Sequence, residues 1–287
     1  MPTIEGLMRE WQERRAPVMT ARTVATNIAP VQGICEALGS FDPRALMTAD
    51  VETFRNSLLE RGLSKITVAR YLSTLRAGCN GHLDHVDLGK LISELKREPN
   101  KLECWTKDEV AKILNAGRET ASHSLWYYIS ILFTTGMRRG EVLALHWEDF
   151  DLTRRRIHIH RSLTLEGSVQ NGTKWGGKRW FPMGQSHIDL YDKMQLHLVC
   201  PEYGPKGLVF YMLDQRTVGR NFQRVVKLAG VPQHKMHCTR HSAISWALSA
   251  GMSLRKASEI FGVSQGTLEK HYAHYIEEEV NMEWANL

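Results

Sequence analysis

Two histidines and an arginine lie within five residues of one another in segment 237–241, namely His237, Arg240 and His241. An apolar helical pattern follows from Thr239 and stops at Gly251, so the sequence predicts a helix with these side chains in its first turn. The backbone N–H groups and the dipole of a helix N-terminus favour an anion. An arginine adds a cation that binds phosphate through paired N–H donors. We therefore expect this turn to bind an anion.

A tyrosine and a second arginine extend this set of side chains. Tyr272 lies on a helix predicted over residues 265–274, which begins after a break at residues 262–264. Far upstream, segment 135–141 has the sequence T-G-M-R-R-G-E and carries Arg138. A cationic turn followed by a tyrosine is only suggestive, but it becomes specific when this second segment is considered with it.

The three segments resemble the motifs of the tyrosine recombinase (phage integrase) family. The T-G-x-R-x-x-E motif is matched by Thr135, Gly136, Arg138 and Glu141, the H-x-x-R-H motif by His237, Arg240 and His241, and the Y-x-H motif by Tyr272, Ala273 and His274. The resemblance covers about residues 102–274, and three motifs in this order and spacing are hard to obtain by chance. One position departs from the pattern, because Val263 stands where the family usually has histidine or tryptophan.

The resemblance implies a site-specific DNA recombinase. Such an enzyme cuts and rejoins duplex DNA through a 3′-phosphotyrosyl intermediate, in integration, excision or resolution, without metal, ATP or another cofactor. Tyr272 would be the nucleophile, and the covalent intermediate would conserve the bond energy for rejoining. Arg138 and Arg240 would stabilise the charge that builds on the non-bridging phosphate oxygens during attack.

The resemblance also implies roles for four further residues. Lys174 matches the family's lysine on a β-hairpin, which protonates the leaving 5′-oxygen. His237 would donate to a non-bridging oxygen or act as an acid or base, with His241 in support. Glu141, one helical turn after Arg138, would hold that arginine's side chain in place.

Neighbouring residues offer alternatives for three of these roles. Arg139 competes with Arg138, Lys178 with Lys174, and Tyr275 with Tyr272. The match to the family motifs favours Arg138, Lys174 and Tyr272.

Val263 lacks the ring N–H with which the family's histidine or tryptophan helps to hold the scissile phosphate. The loss of one hydrogen bond to a charged group costs roughly 1.5–3 kcal/mol, or about ten- to a hundredfold in rate. This handicap is small beside the combined effect of two arginines, a lysine and a nucleophile. We therefore expect an active enzyme that cleaves more slowly than its relatives.

The sequence predicts a mainly α protein with a small β-sheet (α+β) in two domains. Residues 1–98 show five short amphipathic patterns, and by the resemblance they form a helical, SAM-like core-binding domain. Residues 99–103 are a polar linker with a proline, and residues 104–287 are the catalytic domain, with strand signals only between about 150 and 183. Residues 276–287 are expected to form a tail helix that docks into a neighbouring protomer of a DNA-bound homotetramer, whereas the free protein is expected to be a monomer.

Two local signals set boundaries within these domains. Thr48 is expected to cap the third helix of the bundle. Residues 172–178 are expected to form the tip of a β-hairpin between strands near 157–159 and 179–183, and this tip would present Lys174.

The charge of the chain favours a polyanionic partner. The net charge is +6 and the isoelectric point is about 9.1, which suits double-stranded DNA. Residues 1–100 hold 13 Lys+Arg against 12 Asp+Glu, a balance of +1, and residues 101–287 hold 24 against 19, a balance of +5. We therefore expect most phosphate contacts in the second half.

The cellular setting follows from cysteine usage and hydropathy. The five cysteines make no C-x-x-C pair, which favours reduced thiols. The chain shows no signal peptide and no apolar run long enough to span a bilayer. The sequence therefore predicts a cytoplasmic protein without a membrane partner.

Other functions fit parts of the sequence. Candidate zinc ligands are grouped at His237, Cys238 and His241, at His271 and His274, and at His158 and His160. No paired cysteines frame them, so we expect no metal. Residues 257–272 look like the helix-turn-helix of a transcription factor, although the alanine lies five rather than four residues before the turn glycine. An inactive relative kept for DNA binding and a type IB topoisomerase also remain open.

Overall fold

In the computed structural model, the described residues are 2–95, 102–164, 167–172, 177–199 and 207–275. The chain divides into two units, residues 1–100 and 101–287. In the first unit the described helices are α1 (Ile4–Arg15), α2 (Ala21–Leu38), α3 (Thr48–Glu60), α4 (Lys65–Gly78) and α5 (Leu88–Glu94). Of the predicted linker, residues 99–101 lie outside the described residues.

Helix α4 is the centre of the first unit, where it packs against α1, α2, α3 and α5. Its buried stripe includes Val68, Leu72 and Leu75, whose spacing places them on one helical face. The side chain of Ser64 accepts the N–H of Thr67 and so begins the helix. Short helices of this kind are stabilised mainly by such packing.

The start of α3 differs from the prediction. Thr48 is the first helical residue rather than the cap, and Met47 occupies the N-cap position. The carboxylate of Asp50 accepts the main-chain N–H of Met47 at 2.8 Å. A carboxylate at the third helical position therefore caps the main-chain N–H at the start of α3.

The second unit combines helices with five short strands. Its described helices are α6 (Lys107–Thr120), α7 (His123–Thr135), α8 (Arg139–Leu143), α9 (Gln185–Leu198), α10 (Val218–Leu228), α11 (Cys238–Ser249), α12 (Leu254–Phe261) and α13 (Gln265–Tyr272). Its strands are β1 (Phe150–Asp151), β2 (Arg156–Ile159), β3 (Arg161–Leu163), β4 (Val169–Asn171) and β5 (Arg179–Pro182). The predicted fold class, mainly α with a small sheet, is confirmed.

Helix α7 is the core of the second unit. It packs against α6, α8, α9, α10 and α11, and its side chains are buried on nearly every face, among them Tyr127, Tyr128 and Phe133. An apolar pattern all around a helix is what a fully buried position requires. The chain leaves α7 at Thr135, so the segment that follows is anchored to the core.

The strands form two small antiparallel sheets. One has the order β1-β2-β5, with Ile157 opposite Phe181, and the other pairs β3 with β4. The predicted single hairpin is therefore wrong in its connection, because β4 first returns along β3 before the chain reaches β5. The prediction failed because β3 and β4 have only three residues each, too few for alternation to reveal a strand.

Within the described ranges, no helix combines the length and the apolar character needed to cross a bilayer.

Candidate active site

Arg138 is held at the start of α8 by the geometry of the preceding turn. Gly136 ends α7 in the left-handed conformation, with φ of 60°. A Cβ at this position would lie 2.9 Å from the ring of Phe261, so glycine is needed for both the backbone angle and the close approach. The turn directs Arg138 to the N-cap of α8.

Glu141 fixes both the backbone and the side chain of Arg138. Its Oε2 accepts the main-chain N–H of Arg138 at 2.9 Å, and its Oε1 accepts from the Nη1 of the same residue at 2.8 Å. These two hydrogen bonds are consistent with the predicted role of Glu141, which is to hold the side chain of Arg138 in place. Arg139, the alternative, has its carbonyl near the hydroxyl of Tyr128, at 3.5 Å.

A third arginine, Arg179 on β5, completes the ion pairs of Glu141. Its Nη1 and Nη2 donate to the two carboxylate oxygens at 3.1 and 2.6 Å, and its Nε donates to the carbonyl of Ile260 at 3.0 Å. Burial alone would raise the pKa of Glu141, but the hydrogen bonds and charges of Arg179 and Arg138 lower it to about 2. The carboxylate is therefore ionised at neutral pH.

Arg240 and Arg138 meet at the turn between α12 and α13. Arg240 donates to the carbonyls of Gly136, at 2.8 Å, and of Phe261, and more weakly to that of Gly262, at 3.4 Å. Arg138 Nη2 donates to the same Gly262 carbonyl at 2.9 Å. Gly262 has φ of 61°, a conformation that favours glycine. The turn carbonyls thus bring the two arginines of separate motifs together.

This cluster carries more positive than negative charge. Among the described residues, Arg138, Arg179 and Arg240 share Glu141 as the carboxylate of this cluster, and the side chain of Arg138 is the most exposed of the four, at 20%. Burial, followed by the charge of Arg138, lowers the pKa of Arg240 to about 9, so the side chain is still cationic at neutral pH. Each guanidinium has five N–H donors, more than the described contacts use. The arrangement can therefore bind an anion such as a phosphate group.

Tyr272, the last residue of α13, is buried next to α11. Its phenolic oxygen lies 2.5 Å from Nδ1 of His241, and only 3% of the residue is exposed. Burial raises the pKa of Tyr272, whereas the nearby charge of Arg240 lowers it. The helix predicted over residues 265–274 ends at Tyr272 in the structure, because residues 273–275 form a 3₁₀ turn.

The other predicted histidine, His237, occupies the N-cap of α11, which begins at Cys238 rather than at Thr239. His237 is exposed, and its ring meets that of His241 edge-on at 4.9 Å. The earlier start leaves His237, Arg240 and His241 in the first turn, as the sequence indicates. Thr239 is buried inside the helix and donates to the carbonyl of Met236.

Val263 is half-buried and packs against the hydrophobic core of this unit. Lys174 lies outside the described residues, and so does the predicted tail helix over 276–287. Lys178, the alternative to Lys174, is exposed just before β5.

A possible metal-binding group is found elsewhere in this unit. Among the described residues, donor atoms of Asp149, His158 and His160 lie within 4.8 Å of one another. Asp149 already accepts from Arg161 Nη2 at 2.6 Å and from the main-chain N–H of His146 at 2.8 Å. A guanidinium on the same carboxylate repels a divalent cation. The group therefore fits an ion-pair network better than a metal site.

Comparison with known proteins identifies the family. Residues 103–279 match the model of the phage integrase family, which is more than half of the chain. The chain belongs to this family of tyrosine recombinases. The family prediction made from the three motifs is thereby confirmed.

Individual tyrosine recombinases are similar over most of the chain. The tyrosine recombinase XerC of Corynebacterium glutamicum is 27% identical, with 75% of this chain and 70% of that protein covered. A XerC-like tyrosine recombinase of Caldanaerobacter subterraneus subsp. tengcongensis is 22% identical, with 80% and 68% covered. A protein described as putatively defective, IntQ of Escherichia coli K12, is 24% identical, with 85% and 70% covered.

Solved structures of integrases share the fold of this tyrosine recombinase. The integrase of transposon Tn1549, in complex with a circular intermediate DNA, has a TM-score of 0.82 at 19% identity and covers 100% of both chains. A lambda integrase tetramer bound to a Holliday junction has a TM-score of 0.68 at 17% identity, covering 92% of this chain and 78% of that one. At these identities the similarity establishes the fold.

Sequence reasoning missed Arg179, because the burial pattern that marks it is visible only in the folded chain. Along β5 the residues alternate between buried and exposed, with Arg179 and Phe181 buried and Trp180 exposed. Residues two apart on a strand share a face, so the alternation places an arginine on the core side. A buried arginine needs a carboxylate partner, and that requirement would have directed attention to Glu141.

The ion pairs of Glu141 predict how stability depends on pH in this recombinase. Its pKa of about 2 in the folded state lies below the ordinary value of 4.5, so its contribution is present above about pH 5 and is lost as the pH falls towards 2. The full contribution is roughly 3 kcal/mol. In urea unfolding between pH 6 and pH 3, Glu141→Gln should start less stable than the wild type, and the difference should shrink as the pH falls.

The control for this experiment is Glu119→Gln, which changes an exposed glutamate on α6. It should follow the pH dependence of the wild type. Parallel curves for the wild type and Glu141→Gln would show that the ion pairs of Glu141 contribute no pH-dependent stability.

Proposed function

We propose that this protein is a site-specific DNA recombinase that cuts and rejoins duplex DNA through a 3′-phosphotyrosyl intermediate. The observation that carries the proposal is the excess of guanidinium groups, two of them buried, beside a buried tyrosine. Arg138 and Arg240 converge on the turn carbonyls, while Tyr272 lies against the helix that bears Arg240. A phosphodiester bound by these cations would be close to a phenolic nucleophile.

The proposed reaction needs groups that stabilise negative charge and groups that transfer protons. A phosphodiester resists attack because its non-bridging oxygens repel the nucleophile, and fixed cations offset that repulsion. Arg138 and Arg240 provide such cations at neutral pH, since the pKa of Arg240 is lowered only to about 9. Glu141 positions Arg138, and His237, exposed at the N-cap of α11, is suited to donate to a non-bridging oxygen. No ATP or metal is needed if the phosphotyrosyl bond conserves the energy of the cleaved bond.

Lys174 completes the proposed set as the acid that protonates the leaving 5′-oxygen. This assignment comes from its match to the family motif. Val263 supplies no N–H to the phosphate, so we expect slower cleavage than in relatives with histidine or tryptophan at this place.

The domains and partners follow from the same proposal. The helical unit within residues 1–98 would bind one face of the DNA, and residues 104–287 would carry out catalysis. The lambda integrase tetramer bound to a Holliday junction supports assembly of four protomers on DNA here as well. In that assembly, the tail over residues 276–287 would dock into a neighbour. The cytoplasm, where the DNA is found, would be its place of action.

A DNA-binding regulator is the second candidate, because α12, the turn at 262–264 and α13 have the form of a helix-turn-helix. The carbonyls of Phe261 and Gly262 in this segment bind Arg240 and Arg138. A regulator would have no use for arginines clustered against its turn. The contact therefore favours the enzyme over a regulator.

Covalent trapping tests the proposal directly. The full-length protein is incubated with a library of nicked duplexes that have randomised cores, adducts are isolated under denaturing conditions, and the attached DNA is sequenced. The expected result is a protein–DNA adduct that resists denaturant and enriches one core sequence. Sequence-specific binding without any adduct would instead support the regulator or an inactive relative.

A further inference from the structure

The hydrogen bond between Tyr272 and His241 joins the end of α13 to the first turn of α11. Its length is 2.5 Å, from the phenolic oxygen to Nδ1, and the two ring centroids are 5.9 Å apart. The tyrosine is buried and His241 is half-buried. The contact therefore lies within the packed interface between two helices, where both rings are held in place by their surroundings.

The direction of this hydrogen bond is set by the tautomer of His241. Burial, followed by the charges of His237 and Arg240 and by His271, lowers the pKa of His241 to about 4, so its ring is neutral at physiological pH. A neutral imidazole has one nitrogen that donates and one that accepts. In the tautomer that carries its proton on Nε2, Nδ1 of His241 accepts the O–H of the buried phenol.

The groups around Tyr272 make its proton hard to release without a base. Burial raises the pKa of the phenol, and the neighbouring Cys104, Tyr275 and Cys238 raise it further, whereas Arg240 lowers it. A buried phenol that must become a nucleophile needs a positioned base, because free phenolate would be scarce at neutral pH.

We propose that His241 is the general base that takes the phenolic proton of Tyr272 during DNA cleavage. This inference rests on the proposed function and assigns to His241 a catalytic role beyond the support expected from the motif. His237, exposed on the same turn, keeps the role of donor to the phosphate.

The step balances in atoms and charge. A bond forms between Oη of Tyr272 and phosphorus, and the bond between phosphorus and the 5′-oxygen breaks. The proton of Oη moves to Nδ1 of His241, which becomes an imidazolium, and the 5′-oxygen takes a proton from a separate acid, for which Lys174 is the candidate. In rejoining, the 5′-hydroxyl attacks phosphorus and gives its proton back to the conjugate base of that acid, and the imidazolium returns its proton to the phenol as the bond between Oη and phosphorus breaks.

Two substitutions of His241 separate a base from a positioning residue. His241→Ala removes the acceptor, whereas His241→Asn can place an amide oxygen near the position of Nδ1, where it accepts a hydrogen bond without taking up a proton. Cleavage is measured in single turnover on the nicked duplex selected by trapping with the wild type. Both variants should bind this DNA normally and cleave roughly 10²- to 10⁴-fold more slowly. His271→Ala, next to the tyrosine, should cleave at the wild-type rate.

A duplex with sulfur in place of the bridging 5′-oxygen distinguishes the base from the acid. A thiolate leaves without protonation, so this substrate should restore cleavage in Lys174→Ala. The same substrate should leave the defects of His241→Ala and His241→Asn in place, because the phenol must still lose its proton.

A more acidic phenol should partly restore the cleavage rate when the base is missing. Incorporation of 3,5-difluorotyrosine at position 272 should raise the cleavage rate of His241→Ala at least about tenfold, since an acidic phenol needs a base less. In the wild-type background it should give no such gain.

The outcomes separate this inference from the function on which it rests. A wild-type protein that forms no adduct on any duplex overturns both. Wild-type cleavage with an unchanged rate in His241→Ala overturns only the role of His241. Wild-type rates in His241→Asn would show that the histidine positions the tyrosine without taking its proton, and rescue of the His241 variants by the sulfur substrate would place the histidine on the acid side.

Discussion

Tyr272→Phe is expected to bind DNA like the wild type and to form no covalent adduct on a nicked suicide duplex. The substitution removes only the phenolic oxygen, so the buried ring keeps its packing at the end of α13. The loss of the hydrogen bond to His241 costs roughly 1–3 kcal/mol if Nδ1 is left unpaired, which the fold should tolerate. Adduct formation is measured by denaturing electrophoresis, and binding is measured by gel shift.

Tyr275→Phe is the matched control, because its ring centroid lies 6.5 Å from that of Tyr272 and it follows the same helix. This variant should bind DNA and still form the adduct. The assignment of the nucleophile would be wrong if the adduct persisted in Tyr272→Phe and disappeared in Tyr275→Phe. Loss of DNA binding in Tyr272→Phe would instead point to a structural role for the hydroxyl.

The helices of this protein were predictable because their signals are local. Thr20, Ser64 and Ser253 each cap a helix with a side-chain oxygen three residues before the bonded N–H, and apolar residues recur at helical spacing within each segment. Such patterns need no knowledge of the rest of the fold. The errors occurred where local signals were short or ambiguous, at the three-residue strands and at the start of α3.

The contacts of the site were less predictable because they join distant segments. Arg179 pairs with Glu141 across 38 residues, Arg240 with the Gly136 carbonyl across 104, and Arg138 with the Gly262 carbonyl across 124. The motif matches named Arg138, Arg240 and Glu141, but no spacing in the sequence indicates which carbonyl an arginine will meet. Arg179 belongs to no motif that we recognised, so only its burial in the folded chain reveals it.

Backbone carbonyls at the end of α12 and in the turn that follows it accept hydrogen bonds from arginines of separate segments. The carbonyls of Ile260, Phe261 and Gly262 bind Arg179, Arg240 and Arg138, respectively. Main-chain acceptors are independent of side-chain identity, so valine at the next position leaves this scaffold intact. The departure at Val263 should therefore affect the contact with the phosphate more than the arrangement of the arginines.

Arg179→Met is expected to have the largest effect on stability, a loss of about 3–5 kcal/mol in the free energy of unfolding. The arginine side chain is 8% exposed and that of Glu141 is 1% exposed, so the carboxylate would lose its bidentate partner where water cannot replace it. The carbonyl of Ile260 would lose its Nε donor as well. Arg179→Lys keeps the charge but not the planar fork, and it should lose less. The measurement is urea unfolding at pH 7.

The matched control is Arg154→Met, which breaks an ion pair with Asp151 in which the arginine side chain is 69% exposed. Surface pairs of this kind contribute about 0–1 kcal/mol, so this variant should unfold almost like the wild type. A second readout is adduct formation by Arg179→Lys under conditions in which the variant is folded. It should fall, because Glu141 would then be held chiefly by Arg138 and would attract that guanidinium away from the phosphate. If Arg179→Met lost no more stability than Arg154→Met, Arg138 alone would satisfy Glu141, and the role given to Arg179 would be wrong.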